Sequence, residues 1–151
     1  MTQLTTSSPQ AEEQSLYERI EIKLGVEPVR SDSDLALLVE QRLPIQSVVS
    51  LTQQGLTEQE VYALVLPRRT FTHRKTNHQP LTREESDKAV RLARIAALAE
   101  VIFGNKEKAS RWLRKAKRRF AARTPLAMLT TEAGARLVEE MLYQIDAGMA
   151  A

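Results

Sequence analysis

Ala99-Glu-Val-Ile-Phe-Gly-Asn-Lys-Glu-Lys-Ala-Ser-Arg-Trp-Leu113 reads as one helix closing and another opening. Residues 99–103 are apolar apart from Glu100, and Gly104 supplies the left-handed residue that commonly ends a helix. Asn105 follows as an N-cap, with Glu107 in the first turn, where the helix dipole favours a negative charge. Ala109, Trp112 and Leu113 recur at helical spacing, so Phe103 and Trp112 are expected to meet in one small core. The chain before this corner is more polar and basic, and a helical cap follows it. The corner is expected to begin a second domain.

Downstream, Thr124-Pro125 is an N-cap with proline at the first helical position, opening a short turn through Leu126, Met128 and Leu129. Thr131 and Glu132 start the last helix. Its apolar stripe is Leu137, Val138, Met141, Leu142, Ile145 and Met149. A unit of ~50 residues is marginal alone, so part of this stripe is expected to lie against another protein chain.

Upstream, Thr82-Arg-Glu-Glu85 is a capping box opening the longest helix, which runs to Phe103. Its first half is polar and its second apolar nearly all round, which predicts an exposed bridge that becomes a buried strut. Shorter helices precede it. Residues 11–24 place Leu16, Ile20 and Leu24 on one face, and the helix through Leu35, Leu38 and Val39 is capped from residues 31–34. The helix over residues 45–54 follows Pro44, and Thr57-x-x-Glu60 is a second capping box. Residues 1–10 are polar and without period, and no alternating strand pattern of useful length occurs. The expectation is an all-α chain with a flexible segment containing a possible short helix at 1–30, a helix-turn-helix domain at 31–80, a connecting helix at 81–98 and a second helical domain at 99–151.

Pro67-Arg-Arg-Thr-Phe-Thr-His-Arg-Lys75 carries the functional signal. A capped helix, a turn at Leu66-Pro67 and a short helix with one apolar anchor, Phe71, follow the helix-turn-helix pattern, whose second helix lies in the major groove. Arg68, Arg69, Thr70, Thr72, His73, Arg74 and Lys75 are then the DNA-binding residues: Arg reads guanine bidentately, while Thr and Lys hold phosphates. An Arg-rich run is otherwise a solvated surface, and the cap and anchor favour the DNA reading. Residues 111–123 carry seven cations and no acid. They read equally as a solvated helix end suited to its dipole or as a second surface for DNA backbone or an acidic partner.

The net charge of +3 conceals a basic middle: residues 61–123 hold 17 Lys/Arg against 5 Asp/Glu, while residues 1–60 hold 4 against 10. This distribution points to a polyanion partner. No stretch approaches the ~20 apolar residues that cross a bilayer. The absence of cysteine excludes disulfides and thiolate chemistry, and a cytoplasmic location is expected. No catalytic role is expected: His73 and His78 have no orienting carboxylate or third metal ligand nearby in the sequence, and no phosphate loop, dinucleotide fingerprint or nucleophile elbow occurs. Neither a metal nor a cofactor is expected.

These residues resemble Xre-type antitoxins that carry the Xre/MbcA/ParS toxin-binding domain, partners of RES-domain toxins. The resemblance spans roughly residues 33–148. It rests on Gly55-Leu56, Pro67-Arg-Arg-Thr-Phe-Thr-His-Arg74, Leu81-Thr-Arg-Glu-Glu-Ser-Asp87, Arg91-Leu-Ala-Arg94, Ala99-Glu-Val-Ile-Phe-Gly104, Ala109, Trp112-Leu113, Thr124-Pro125-Leu126 and Thr131-Glu-Ala-Gly134. Phe71 stands where the family often has Leu, and residues 115–122 are more basic than the Pro-Asn-rich turn expected there. The resemblance implies a repressor whose helix-turn-helix domain binds its own operator. It also implies a helical domain that forms a homodimer and grips an NAD-consuming RES toxin in a larger hetero-oligomer. By this analogy Phe103, Trp112, Leu113, Leu137, Met141, Leu142, Ile145 and Met149 serve toxin binding or dimerisation, and the acidic last segment is a candidate plug for the toxin's NAD pocket. The competing expectation is a stand-alone dimeric helix-turn-helix repressor without a toxin.

Overall fold

Most helix starts among the described residues are set by a capping side chain visible in the sequence. The computed structural model describes residues 8–148; the expectations for residues 1–7 and for Met149 lie outside them. Helix α1, Pro9–Leu24, has Ser8 accepting from the Ala11 amide and ends on Gly25 at φ 64°. Helix α2, Asp32–Gln41, is capped by Ser31, and α3, Gln46–Gln53, follows Pro44. Helix α4, Glu58–Leu64, opens with the reciprocal Thr57/Glu60 capping box, and α5, Arg68–Thr76, follows Pro67. Helix α6, Arg83–Phe103, carries the second capping box, Thr82/Glu85. After Gly104 at φ 62°, Asn105 caps α7, Lys106–Leu113. Two 3-10 turns, Arg118–Phe120 and Ala127–Thr130, lead to α8, Glu132–Asp146, capped by Thr131.

Helix α6 is the axis. Helices α1, α2, α7 and α8 all pack on it. The alanines of its buried face, Ala89, Ala93, Ala96, Ala97 and Ala99, let those neighbours approach closely. One hydrophobic cluster runs from Leu16 to Leu142 through Leu92, Ile95 and Leu98.

Three expectations change in the light of this packing. The possible short helix within residues 1–30 is longer and better packed than expected: α1 runs sixteen residues and buries Leu16, Tyr17, Ile20 and Leu24. The first half of α6 is not an exposed bridge. Ser86, Ala89, Val90, Leu92 and Ala93 are buried there, and the Ser86 hydroxyl accepts from the Leu43 amide at 2.9 Å. Of the polar residues that gave the exposed reading, Arg83, Glu84, Asp87 and Lys88 lie on the outer face, while Ser86 points inward. Finally, Val138, Met141 and Leu142 of the α8 stripe are buried within the chain itself, because α6 and the second 3-10 turn cover them. The turn comes so close that a Cβ on Gly134 would stand 1.9 Å from the Met128 carbonyl oxygen.

Candidate functional site

Helix α5 stands on α4 through its single aromatic. The Phe71 ring lies 6.0 Å from that of Tyr62, tilted 45°, and the Lys75 ammonium sits 5.7 Å above it. One turn on, Arg74 joins the Glu85 carboxylate, with Nε–Oε1 at 2.9 Å and Nη2–Oε2 at 3.2 Å. Arg74 is therefore a brace between α5 and the start of α6 rather than a free reader of bases. Arg68, Arg69, Thr72, His73 and Lys75 project to solvent, and Thr70 is half-buried. Arg68, Arg69, Thr72 and His73, with Thr76 and Asn77, line one shallow concavity on the outer face. Thr72 donates its hydroxyl to the Arg68 carbonyl at 3.1 Å, and Asn77 donates to that of His73 at 2.9 Å. The result is a short cationic helix with the Arg68 and Arg69 guanidinium groups exposed, able to hold phosphates and guanine edges.

The second expected surface is the aromatic corner. Phe103 and Trp112 meet across Gly104 with ring centroids 5.7 Å apart, both half-buried, and Lys117 Nζ lies 5.0 Å over the indole. Burial pushes the Lys117 ammonium below the usual lysine range, and the charge of Lys115 pushes the same way. Ile145 is half-buried, while Leu137 is 49% exposed. Leu113, Met141 and Leu142 are core residues, so their part in any contact with a partner is to shape the surface, not to touch it.

Three polar clusters join elements that sequence spacing does not connect. Arg114 takes the Glu60 carboxylate with both its Nε (2.8 Å) and Nη2 (2.7 Å), and donates to the Gly55 carbonyl at 3.0 Å and to the Ser110 hydroxyl. It thereby pins the chain after α7 to the start of α4. Burial alone raises the Glu60 pKa, but the Arg114 hydrogen bond and the Thr57 amide outweigh it and hold the carboxyl below the usual glutamate range. Glu100, 8% exposed, receives Lys23 at 2.9 Å and Arg19 at 3.4 Å, locking α1 to α6. Arg94 bonds Asp32 and reaches Glu139 at 3.5 Å, tying α6 to α2 and α8, while Tyr17 donates to Asp32 at 2.9 Å.

A cleft of about 650 Å³ lies between the α3–α4 turn and α7, lined by Lys23, Gln54, Glu100, Arg111 and Arg114 among others. Lys23, Glu100 and Arg114 already satisfy one another or Glu60, so they hold the helices together rather than offering a vacant charge. Among the described residues no group of three metal-ligating side chains converges and no helix is long and apolar enough to cross a membrane.

The two halves of this arrangement match known families in sequence order. Residues 34–94 match the antitoxin Xre-like helix-turn-helix domain, and residues 98–148 match the antitoxin Xre/MbcA/ParS C-terminal toxin-binding domain. A protein of Pseudomonas putida named Antitoxin Xre is 39% identical over 130 residues, covering 86% of this chain and 82% of that one. A protein of the same name from Yersinia enterocolitica is 32% identical over 85 residues, 56% of this chain and 57% of that one. Another from Photorhabdus laumondii is 32% identical over 82 residues, 54% and 55% of the two chains. The braced basic helix and the aromatic corner fall one in each matched domain, and the chain belongs to the Xre antitoxin family.

Proposed function

We propose that this antitoxin neutralises a RES-domain toxin that consumes NAD, and represses its own operon by placing α5 in the major groove of the operator. In this reading Arg68, Arg69, Thr72, His73 and Lys75 contact DNA, while Arg74 and Phe71 hold the helix at the required angle. The toxin is gripped through Phe103, Trp112, Leu137 and Ile145, with the acidic α8 covering the pocket that admits anionic NAD. The protein acts as a homodimer, since helix-turn-helix readers engage two half-sites one or more helical turns apart, and the dimer assembles with toxin into a larger hetero-oligomer. No catalysis is assigned to the antitoxin itself.

The observation that carries this reading is the exposed Arg68/Arg69 face on a helix held by the Phe71–Tyr62 contact and the Arg74–Glu85 pair, packed against the hydrophobic cluster that the matched toxin-binding domain shares. The test is co-expression with the neighbouring reading frame, following cellular NAD and growth. Wild type is expected to preserve both. Removing the residues after Asp146 is expected to weaken protection if the end of α8 helps cover the pocket. Recovery of the chain without any neighbouring gene product, with NAD unaffected throughout, would instead favour a stand-alone repressor.

A further inference from the structure

Residues 115–123 form a small, rigid hairpin. The Lys117 amide donates to the Arg123 carbonyl at 3.0 Å and the Ala122 amide to that of Lys117 at 3.0 Å, so the two ends pair antiparallel. Phe120, 5% exposed, anchors the tip in the core. Ala121 and Ala122 turn it with φ of 52° and 65°, a left-handed pair that non-glycine residues adopt only under constraint. This geometry holds Lys115, Arg118, Arg119 and Arg123 outward, all exposed. Arg119 donates to the Gln144 amide oxygen at 2.7 Å and Arg123 to the Ala127 carbonyl at 2.8 Å, both neutral groups. Among the described residues no carboxylate forms an ion pair with any cation from 115 to 123.

The hairpin's place matters more than its charge. Its root, Arg114, grips Glu60 and Gly55 at the opening of α4, and Thr124, Leu126 and Ala127 continue along α4 beside Glu60 and Leu64. Helix α4 precedes the reading helix, and in this motif that helix crosses the phosphate backbone. Arg114 also neutralises the Glu60 carboxylate, which would otherwise repel a nearby strand.

We propose that the hairpin at residues 115–123 is a second nucleic-acid contact, in which Lys115, Arg118 and Arg119 hold DNA phosphates flanking those met by α4 and α5. This rests on the reading of α5 as the DNA-binding helix. The contact comes from the toxin-binding half of the chain, so the DNA footprint extends beyond the helix-turn-helix domain. It carries no base specificity, because phosphates are the same along every sequence.

The experiment measures binding of the full chain to mixed-sequence DNA duplexes across a salt series. Each phosphate contact contributes about 0.9 to the slope of log affinity against log salt. Lys115→Gln combined with Arg118→Gln is expected to lower that slope by about 2, equally on G-rich and A-rich duplexes. Both residues are exposed, and an unchanged thermal midpoint verifies that the fold is intact. Arg68→Gln with Arg69→Gln serves as the comparison. If that pair lowers the slope and the hairpin pair does not, the hairpin is no DNA contact and the proposal fails while the α5 reading stands. A hairpin pair that keeps its slope but no longer captures the toxin likewise overturns the proposal in favour of a protein surface. If the wild-type chain shows no salt-dependent binding, the α5 reading and the proposal fall together.

Discussion

At Glu100 a carboxylate meets two cations inside the protein, and its neighbourhood decides what substitution does. Removing one partner of a buried pair leaves the other charge stranded, which costs about 3–5 kcal/mol, whereas replacing the whole pair by apolar residues is often neutral. Glu100→Ala is therefore expected to lower stability by about 3–5 kcal/mol in urea unfolding. Lys23→Met is expected to be far milder, since Arg19 still reaches Glu100. Half of this pair is legible: Glu100 interrupts an otherwise apolar run over residues 99–103, and such an acid needs a partner. The partner lies 77 positions away, and nothing in local spacing announces it. Gly134 is similar. As the third residue of α8 it looks replaceable by a better helix former, yet the Met128 carbonyl fills the space a methyl group needs. Gly134→Ala is expected to cost about 1–3 kcal/mol, as overpacking does, seen as a lower thermal midpoint with unchanged helix content before the transition.

Among the elements, capping explains why the helical register was readable. Both Thr-x-x-Glu boxes, the Asn105 cap and the Gly25 and Gly104 ends are local chemistry, written within four residues of where they act. Packing between elements was not local and was less readable. The α8 stripe reads as partner surface when residues 81–98 are taken as a connecting helix, whereas α6 packs along it in the fold. The Arg74–Glu85 pair joins two helices and is not announced by spacing, so the sequence alone offers Arg74 as a DNA reader. Glu60 has both kinds of role at once: it caps α4 and receives Arg114. Its folded-state pKa is depressed, so its contribution to stability is full above the unfolded value of about 4.3 and is lost as the pH falls through the lower folded value. The thermal-midpoint gap between wild type and Glu60→Gln is thus expected to be widest near neutrality and to close below about pH 4. A gap constant from pH 7 to pH 3 would show that the ion pair contributes nothing.

For the molecule as a whole, the uneven charge and the all-helical class were legible, as was the order of the two matched domains. The single core was not, because it depends on α6 presenting buried faces to both matched domains. Unfolding is expected to be one cooperative transition. Far-UV circular dichroism and the fluorescence of Trp112, the one tryptophan in the chain, are expected to give the same midpoint, and separated midpoints would mean that the halves melt independently. The same continuity bears on how such proteins diversify. A recombination event joining one reading head to another gripping tail has to cut through the twenty-one residues of α6, where the inward alanines on each side are fitted to neighbours from the other parent. Cassette exchange is thereby penalised, and change is more readily absorbed by point substitutions on the outward faces that α6 does not touch.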